Sequence, residues 1–206
     1  MDTFLNIVVI AVAYLIGSIP VGLLLVRVTT GKDIRTIGSG RIGGTNVMRA
    51  AGPWVALLVV SCDVLKGLLP VLLARAVVGN PAVEALSGLL AVVGHNFSIF
   101  IGFKGGAGTM TTIGSAFGLW PGISIVAIVV GIPTLAITRY ASAGSIAVAL
   151  AIPITYALRA WLVVDAPWAY LIHGLGTAAL TLWSLRPNIK RLLKGEERQL
   201  TFRKSV

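Results

Sequence analysis

Two glycine-rich, basic stretches hold most of the residues in this chain whose types and spacing could do chemistry. The first, 29–52, carries six glycines among 24 residues, five of them within Gly31-Lys32-Asp33-Ile34-Arg35 and Gly38-Ser39-Gly40-Arg41-Ile42-Gly43-Gly44-Thr45-Asn46. The second reads Gly102-Phe103-Lys104-Gly105-Gly106-Ala107-Gly108-Thr109. Glycine lets backbone N–H groups come close to a ligand and point at it together. Such nests, like the start of a helix, bind phosphate, and nearby arginine or lysine adds charge-assisted hydrogen bonds. A phosphate-handling site is one reading of the pair. The other is that the glycines make turns and the bases follow the charge rule for membrane loops; composition alone leaves both open. Neither stretch has the Walker spacing of nucleotide-binding loops.

Other polar residues stand alone in apolar surroundings. Asp63 and Lys66 lie three apart in an apolar run, which puts them on one helix face where they can pair or serve a site. His95-Asn96 closes an apolar run just before the second glycine stretch, where a histidine can act as acid or base or tie the loop down. His173 reads as a hydrogen bonder between packed helices. Arg186-Pro187-Asn188 ends the last helix in this reading; Arg186 and Asn188 stay near the membrane as site candidates, and Lys190 onward reads as a solvated basic stretch. The lone Cys62 reads as a small core hydrophobe. With two histidines, one cysteine and no acidic cluster in the loops, the sequence points to no metal and no cofactor.

These residues need a scaffold, and the composition dictates its kind. Charged types are 12% of the 206 residues and apolar types 56%, with a mean hydropathy of +0.92. A soluble domain carries about a quarter charged residues, so lipid is the solvent expected here. The net charge of +10 would suggest nucleic acid in a soluble protein. Here the bases sit at the ends of apolar runs, which fits anionic lipids and phosphorylated substrates and not nucleic acid.

Apolar runs of spanning length lie near 4–28, 54–78, 82–101, 121–139, 142–160 and 166–184, with a shorter piece at 108–119 set off by Trp120-Pro121-Gly122. Only Asp2 is charged before the first run, so residues 4–26 read as a retained helix and not a cleaved signal peptide. Counting the short piece as a crossing puts 13 cationic residues on one side (Lys32, Arg35, Arg41, Arg49, Lys104, Arg139 and seven beyond 185), with Arg27 at the membrane edge. The other side receives Arg75 and Arg159. The positive-inside rule then favours seven spans, N-terminus outside and C-terminus cytoplasmic. The expected fold is all-α: one polytopic membrane domain over 1–206, ending in a basic cytoplasmic tail from 186 to 206.

Read in order, the motifs resemble one family. They are Gly17-Ser18-Ile19-Pro20-Val21-Gly22, Lys32-Asp33-Ile34-Arg35, Gly38-Ser39-Gly40, Thr45-Asn46-Val47-Met48-Arg49, Asp63-Val64-Leu65-Lys66-Gly67, Gly94-His95-Asn96-Phe97, Phe103-Lys104-Gly105-Gly106, Thr138-Arg139-Tyr140-Ala141-Ser142 and Asn188-Ile189-Lys190-Arg191-Leu192. Over nearly its whole length the chain is similar to the bacterial acyl-phosphate:glycerol-3-phosphate acyltransferases, whether as an ordinary member or a divergent paralogue. The resemblance implies transfer of a fatty acyl group from acyl phosphate to the 1-hydroxyl of glycerol 3-phosphate. The products would be lysophosphatidate and phosphate, in phospholipid synthesis at the cytoplasmic face of the cell membrane.

The resemblance, with His95, Arg41, Arg186, Asp63 and Lys66 added from the residues themselves, gives the site candidates. Ser39, Lys104, Ser142 and His95 are the catalytic candidates. Gly38, Gly40, Arg41, Asn46, Arg49, Gly105, Gly106, Gly108, Arg186 and Asn188 are the phosphate-binding ones, with Asp63 and Lys66 in support. Acyl phosphate, glycerol 3-phosphate and anionic membrane lipids are the partners expected, with other phospholipid-synthesis enzymes an open candidate. No enzyme nucleophile is needed for an activated donor, and the chain offers no Ser-His-Asp signature.

Three positions depart from the family pattern: Arg41 stands where asparagine is usual, Ala107 where lysine is usual, and Leu185 where histidine is usual. Arg41 can return the positive charge that Ala107 lacks. Two other readings stay open: a catalytically degenerate paralogue that binds lipid phosphates, and an anion or lipid transporter.

Overall fold

The computed structural model describes residues 3–200. Asp2, Arg203 and Lys204, which enter the expected charge asymmetry, lie outside the described residues. Those described form helices and no strand. In order they are α1 (Thr3–Ser18), α2 (Val21–Thr30), a 3-10 turn (Ile34–Thr36), α3 (Gly44–Ala51), α4 (Pro53–Val77), α5 (Pro81–Asn96), a second 3-10 turn (Ile99–Ile101), α6 (Thr109–Leu119), α7 (Ile123–Thr138), α8 (Ala141–Leu162) and α9 (Tyr170–Leu193). Among the described residues, four helical segments are long and apolar enough to cross a membrane: Thr3–Thr30, Pro53–Val77, Pro81–Ile101 and Ala141–Leu162. Helix α7 is apolar but shorter. Helix α6, with 11 residues, is about 16 Å long, roughly half the ~30 Å hydrocarbon core.

The first apolar run is not one straight helix. It breaks between α1 and α2 at Ile19-Pro20, because proline disfavours helix in the residue before it and has no N–H to give. The carbonyl of Ile19, at the break, accepts both the Val21 N–H at 3.0 Å and Lys66 Nζ at 3.2 Å.

The first glycine stretch is also more ordered than a loop. Asp33 Oδ1 accepts the Arg35 N–H at 2.9 Å to start the 3-10 turn, and the stretch ends in α3. Ile34, Ile42 and Val47 are buried in a cluster with Leu23, Val26, Ala56 and Val59, which fixes the loop against α2 and α4.

The last helix corrects the expected boundary. It does not end at Arg186-Pro187-Asn188 but runs through Pro187 to Leu193, so 186–193 of the expected tail are helical. Proline inside a helix deprives nearby carbonyls of their usual partners. Here guanidinium groups replace them: Arg186 Nη1 donates to Trp183 O at 3.4 Å, and Arg41 Nη2 donates to Ser184 O.

Glycines bring the helices close. A Cβ on Gly67 of α4 would run into the backbone of Thr111 and Ser115 in α6, and one on Gly114 of α6 into the backbone of Val64 in α4. A Cβ on Gly17 of α1 would strike Ala91 of α5. At the end of α4 remote from the first loop, Arg75 Nη2 meets the buried Glu84 of α5 at 2.6 Å. Tyr170 of α9 donates to the same carboxylate at 3.1 Å. His173 packs as a helix-to-helix hydrogen bonder, its Nε2 2.7 Å from Ser115 Oγ.

Gly67→Leu is expected to force α4 and α6 apart and to destabilise the bundle by about 1–3 kcal/mol or more. Thermal unfolding in detergent checks it, with Cys62→Ala, at a half-buried position, as a mild reference.

Candidate functional site

Asn46, 2% exposed, organises the first loop. Its Nδ2 donates to Ile34 O at 3.2 Å, Ile37 O at 2.9 Å and Arg41 O at 2.9 Å. Its Oδ1 accepts the Ser39 N–H at 3.2 Å. Gly38 and Gly40, with φ of +54° and +70°, make the tight path around it that side chains disfavour. Asn46, expected to bind phosphate, therefore has its polar atoms engaged by the loop backbone and presents Ser39 instead.

The second glycine stretch wraps the end of α5. Gly105 N–H donates to Asn96 O at 3.1 Å and Gly106 N–H to His95 O at 3.0 Å. A Cβ at Gly106 would overlap the His95 ring. These two glycines, expected to offer amides to phosphate, use them on α5 carbonyls, and their lack of a side chain lets the turn lie against His95. Gly108, at φ +83°, then opens α6, whose first N–H groups have no partner inside the helix.

Behind both loops lies a buried ionic group. Asp63 Oδ1 is 2.8 Å from Lys66 Nζ and 3.6 Å from His95 Nδ1, with side-chain exposures of 3%, 5% and 4% respectively. Pairing is what lets a charge persist in such surroundings.

An open pocket of about 150 Å³ collects these parts. Of the expected residues, Ser39, Arg41, Asn46, Arg49, Asp63, His95, Gly108, Ser142 and Asn188 line it. Lys104, Gly38, Gly40, Gly105, Gly106, Lys66 and Arg186 do not. Lys104 is exposed three residues before Ala107, which does line the pocket. Arg186 is exposed as well and stacks on Trp183, 3.9 Å from the ring centroid, which turns it away from the pocket.

Arg41 reaches across from the first loop to α9, donating from Nη1 to Asn188 Oδ1 at 2.8 Å. Burial lowers the pKa of its guanidinium, as do Arg191 and Arg186 nearby, while Glu197 raises it. Arg49 is lowered by burial and by Arg198, again opposed by Glu197.

Sequence reasoning missed several pocket residues: Thr45, Thr109, Arg191, Glu197 and Arg198. The last three fall in the stretch read as solvated. The chain leaves α9 through Gly195, at φ +72°, with Gly195 N–H on Leu192 O at 3.1 Å and Glu196 N–H on Arg191 O at 2.8 Å. This pair of bonds is the Schellman reversal. It sends the tail back over the pocket, where Leu200 N–H reaches Arg139 O at 2.9 Å. A glycine following a helical basic run, with the tail's acidic pair Glu196-Glu197 right behind it, was the available signal.

A family model described as glycerol-3-phosphate acyltransferase matches residues 7–195. The chain belongs to that family. It is 42% identical to the glycerol-3-phosphate acyltransferase of Desulforudis audaxviator over 99% of this chain and 100% of that one. It is 44% identical to glycerol-3-phosphate acyltransferase 1 of Deinococcus radiodurans over 96% and 97%. In structure it is similar to PlsY, an integral membrane glycerol 3-phosphate acyltransferase. The PlsY glycerol 3-phosphate form matches with a TM-score of 0.88 at 33% identity, covering 95% of this chain and 96% of that one. The lysophosphatidic acid form matches with a TM-score of 0.84 at 31% identity, covering 95% of each.

In this acyltransferase-family chain, Asp63→Asn leaves the Lys66 ammonium buried beside a neutral amide and is expected to destabilise the fold by about 3–5 kcal/mol. Detergent melting curves check it. The double variant Asp63→Asn/Lys66→Met is expected to recover most of the loss.

Proposed function

We propose that this chain transfers a fatty acyl group from acyl phosphate to the 1-hydroxyl of glycerol 3-phosphate, yielding lysophosphatidate and inorganic phosphate. The observation that carries this reading is the convergence of Arg41, Arg49, Arg191 and Arg198, with the Ser39 and Ser142 hydroxyls and the start of α6, on one pocket. Such a site is built for phosphate-bearing ligands. The PlsY structures it resembles are a glycerol 3-phosphate form and a lysophosphatidic acid form.

Bound side by side, the substrates gain proximity. The acceptor's hydroxyl oxygen attacks the acyl carbonyl carbon. A new ester C–O bond forms as the C–O bond to phosphate breaks, and the hydroxyl proton passes to a substrate phosphate, whose second pKa is about 6. Ser39 and the first amides of α6 are the donors for the developing oxyanion, Arg41 faces the acceptor's phosphate, and the other pocket arginines neutralise the departing one. His95 faces the pocket with Asp63 behind it and holds the second glycine turn. Arg41 supplies the positive charge that Ala107 lacks, since both line the same pocket. Leu185, buried in the pocket wall, is the one feature that favours the degenerate, lipid-phosphate-binding alternative.

The seven crossings in this proposal are α1–α2, α4, α5, short α6, α7, α8 and α9, with the N-terminus outside. Support comes from the pocket itself. Its wall is drawn from the first loop, the start of α6, the start of α8 and the last turns of α9, which share one end only if α6 counts as a pass. The basic excess makes that end cytoplasmic, and exposed Lys190 and Lys194 would face anionic headgroups there.

Purified protein in detergent is expected to release phosphate from a long-chain acyl phosphate only when glycerol 3-phosphate is present. Arg41→Ala is expected to lower kcat/KM by about a hundredfold or more, and Lys104→Ala reports whether that exposed lysine joins the bound complex. Acyl phosphate binding without acceptor-dependent release would leave the non-catalytic reading standing.

For topology, single cysteines at Ser39 and Val164 in a Cys62→Ala background are treated with an impermeant maleimide. Labelling of intact cells is expected at 164 and not at 39; the reverse pattern inverts the proposed orientation.

A further inference from the structure

Glu197 is the acidic residue of the pocket not committed to a lysine. Its side chain is 5% exposed although it lies on the tail segment that follows Gly195. Oε1 accepts from Asn188 Nδ2 at 2.6 Å and from Ser142 Oγ at 3.1 Å, and Oε2 accepts from Arg191 Nε at 2.8 Å. One carboxylate therefore joins the first turn of α8, the last turns of α9 and the returning tail.

The bond to Asn188 has a directional consequence. An amide offers a donor on one side and an acceptor on the other. With Nδ2 on the carboxylate, Oδ1 must point the other way, where it accepts Arg41 Nη1 at 2.8 Å. The flipped amide would set its oxygen against the carboxylate and its NH2 group against the guanidinium, both repulsive. Glu197 thereby fixes Arg41, 156 positions earlier in the sequence, through one intermediate side chain. It also supplies negative charge among Arg41, Arg49, Arg191 and Arg198, whose mutual repulsion would otherwise spread them.

We infer that Glu197 is a positioning residue for the acceptor's phosphate: it sets Ser142, Asn188 and Arg41 in their binding geometry before glycerol 3-phosphate arrives. This rests on the acyltransferase reading of the pocket. A carboxylate merely standing in the phosphate's place would have to leave on binding, and its removal would tighten binding. A positioning carboxylate gives the opposite sign.

The test compares full-length wild type, Glu197→Gln and Glu197→Asp in detergent. Steady-state kinetics are measured in both substrates, together with calorimetric binding of glycerol 3-phosphate and melting temperature. Glu197→Gln is expected to raise the KM and the Kd for glycerol 3-phosphate by about tenfold or more, leaving KM for acyl phosphate unchanged. Glu197→Asp, which keeps the charge, is expected to recover part of the loss. Tighter glycerol 3-phosphate binding in Glu197→Gln overturns the inference in favour of an internal plug. Unchanged KM and Kd with a lower melting temperature overturns it in favour of a tail strap with no part in binding. If Glu197→Gln does not fold, Glu197→Asp carries the same comparison with a smaller rise, and no rise refutes the inference. Wild type that binds glycerol 3-phosphate without transferring an acyl group fails the acyltransferase reading alone, and the calorimetric comparison still decides Glu197. Wild type that binds no glycerol 3-phosphate ends both.

Discussion

An ammonium group halfway along an apolar helix has to be neutralised where it stands, because lipid and packed side chains offer it nothing. Lys66 meets that demand with Asp63 one turn earlier and with the Ile19 carbonyl at the break in the first span. Asp63 in turn lies against His95, around whose ring the second glycine stretch is folded. The break in the first span, the place of α4 and the course of the α5–α6 connection thus meet at one buried charge. The first loop stands on the neighbouring apolar cluster of Ile34, Ile42 and Val47, so both loops around the pocket start from solid ground.

Glycine has a different part here from the one its abundance in the loops suggests. At Gly67, Gly114 and Gly17 the missing side chain allows helix backbones to touch, the packing mode lipid favours because it depends on close contact and not on expelling water. At Gly106 the same absence lets a turn lie on an imidazole, and at Gly105 on the backbone of His95 and Asn96. The polar wall of the pocket is then made of guanidinium groups, hydroxyls and the start of α6.

Much of this was legible in the sequence. Composition and apolar runs announce an all-helical membrane bundle, the three-residue spacing of Asp63 and Lys66 announces their pairing, and the short α6 stands out by length. Many of the expected residues do converge, from segments far apart in the chain. What could not be read was decided by distant partners. Pro187 ends a helix by local rules, yet α9 continues because Arg41 and Arg186 take up carbonyls beside it. Asn46 looks like a free polar side chain until the loop closes around it. Glu197 looks solvated because a run of bases surrounds it, and Gly195 signals a turn without saying what the returning chain will meet.

The bond between Arg41 and Asn188 spans 147 positions, and it says something about the order of assembly. Closing so long a loop is entropically late. The first loop acquires its own shape early, from contacts within 34–47 and with α2 and α4. Its guanidinium has no counterpart until α9 has been inserted and packed. A chain halted with only its early helices in the bilayer would hold a formed loop but no pocket, so the pocket is a property of completed insertion alone.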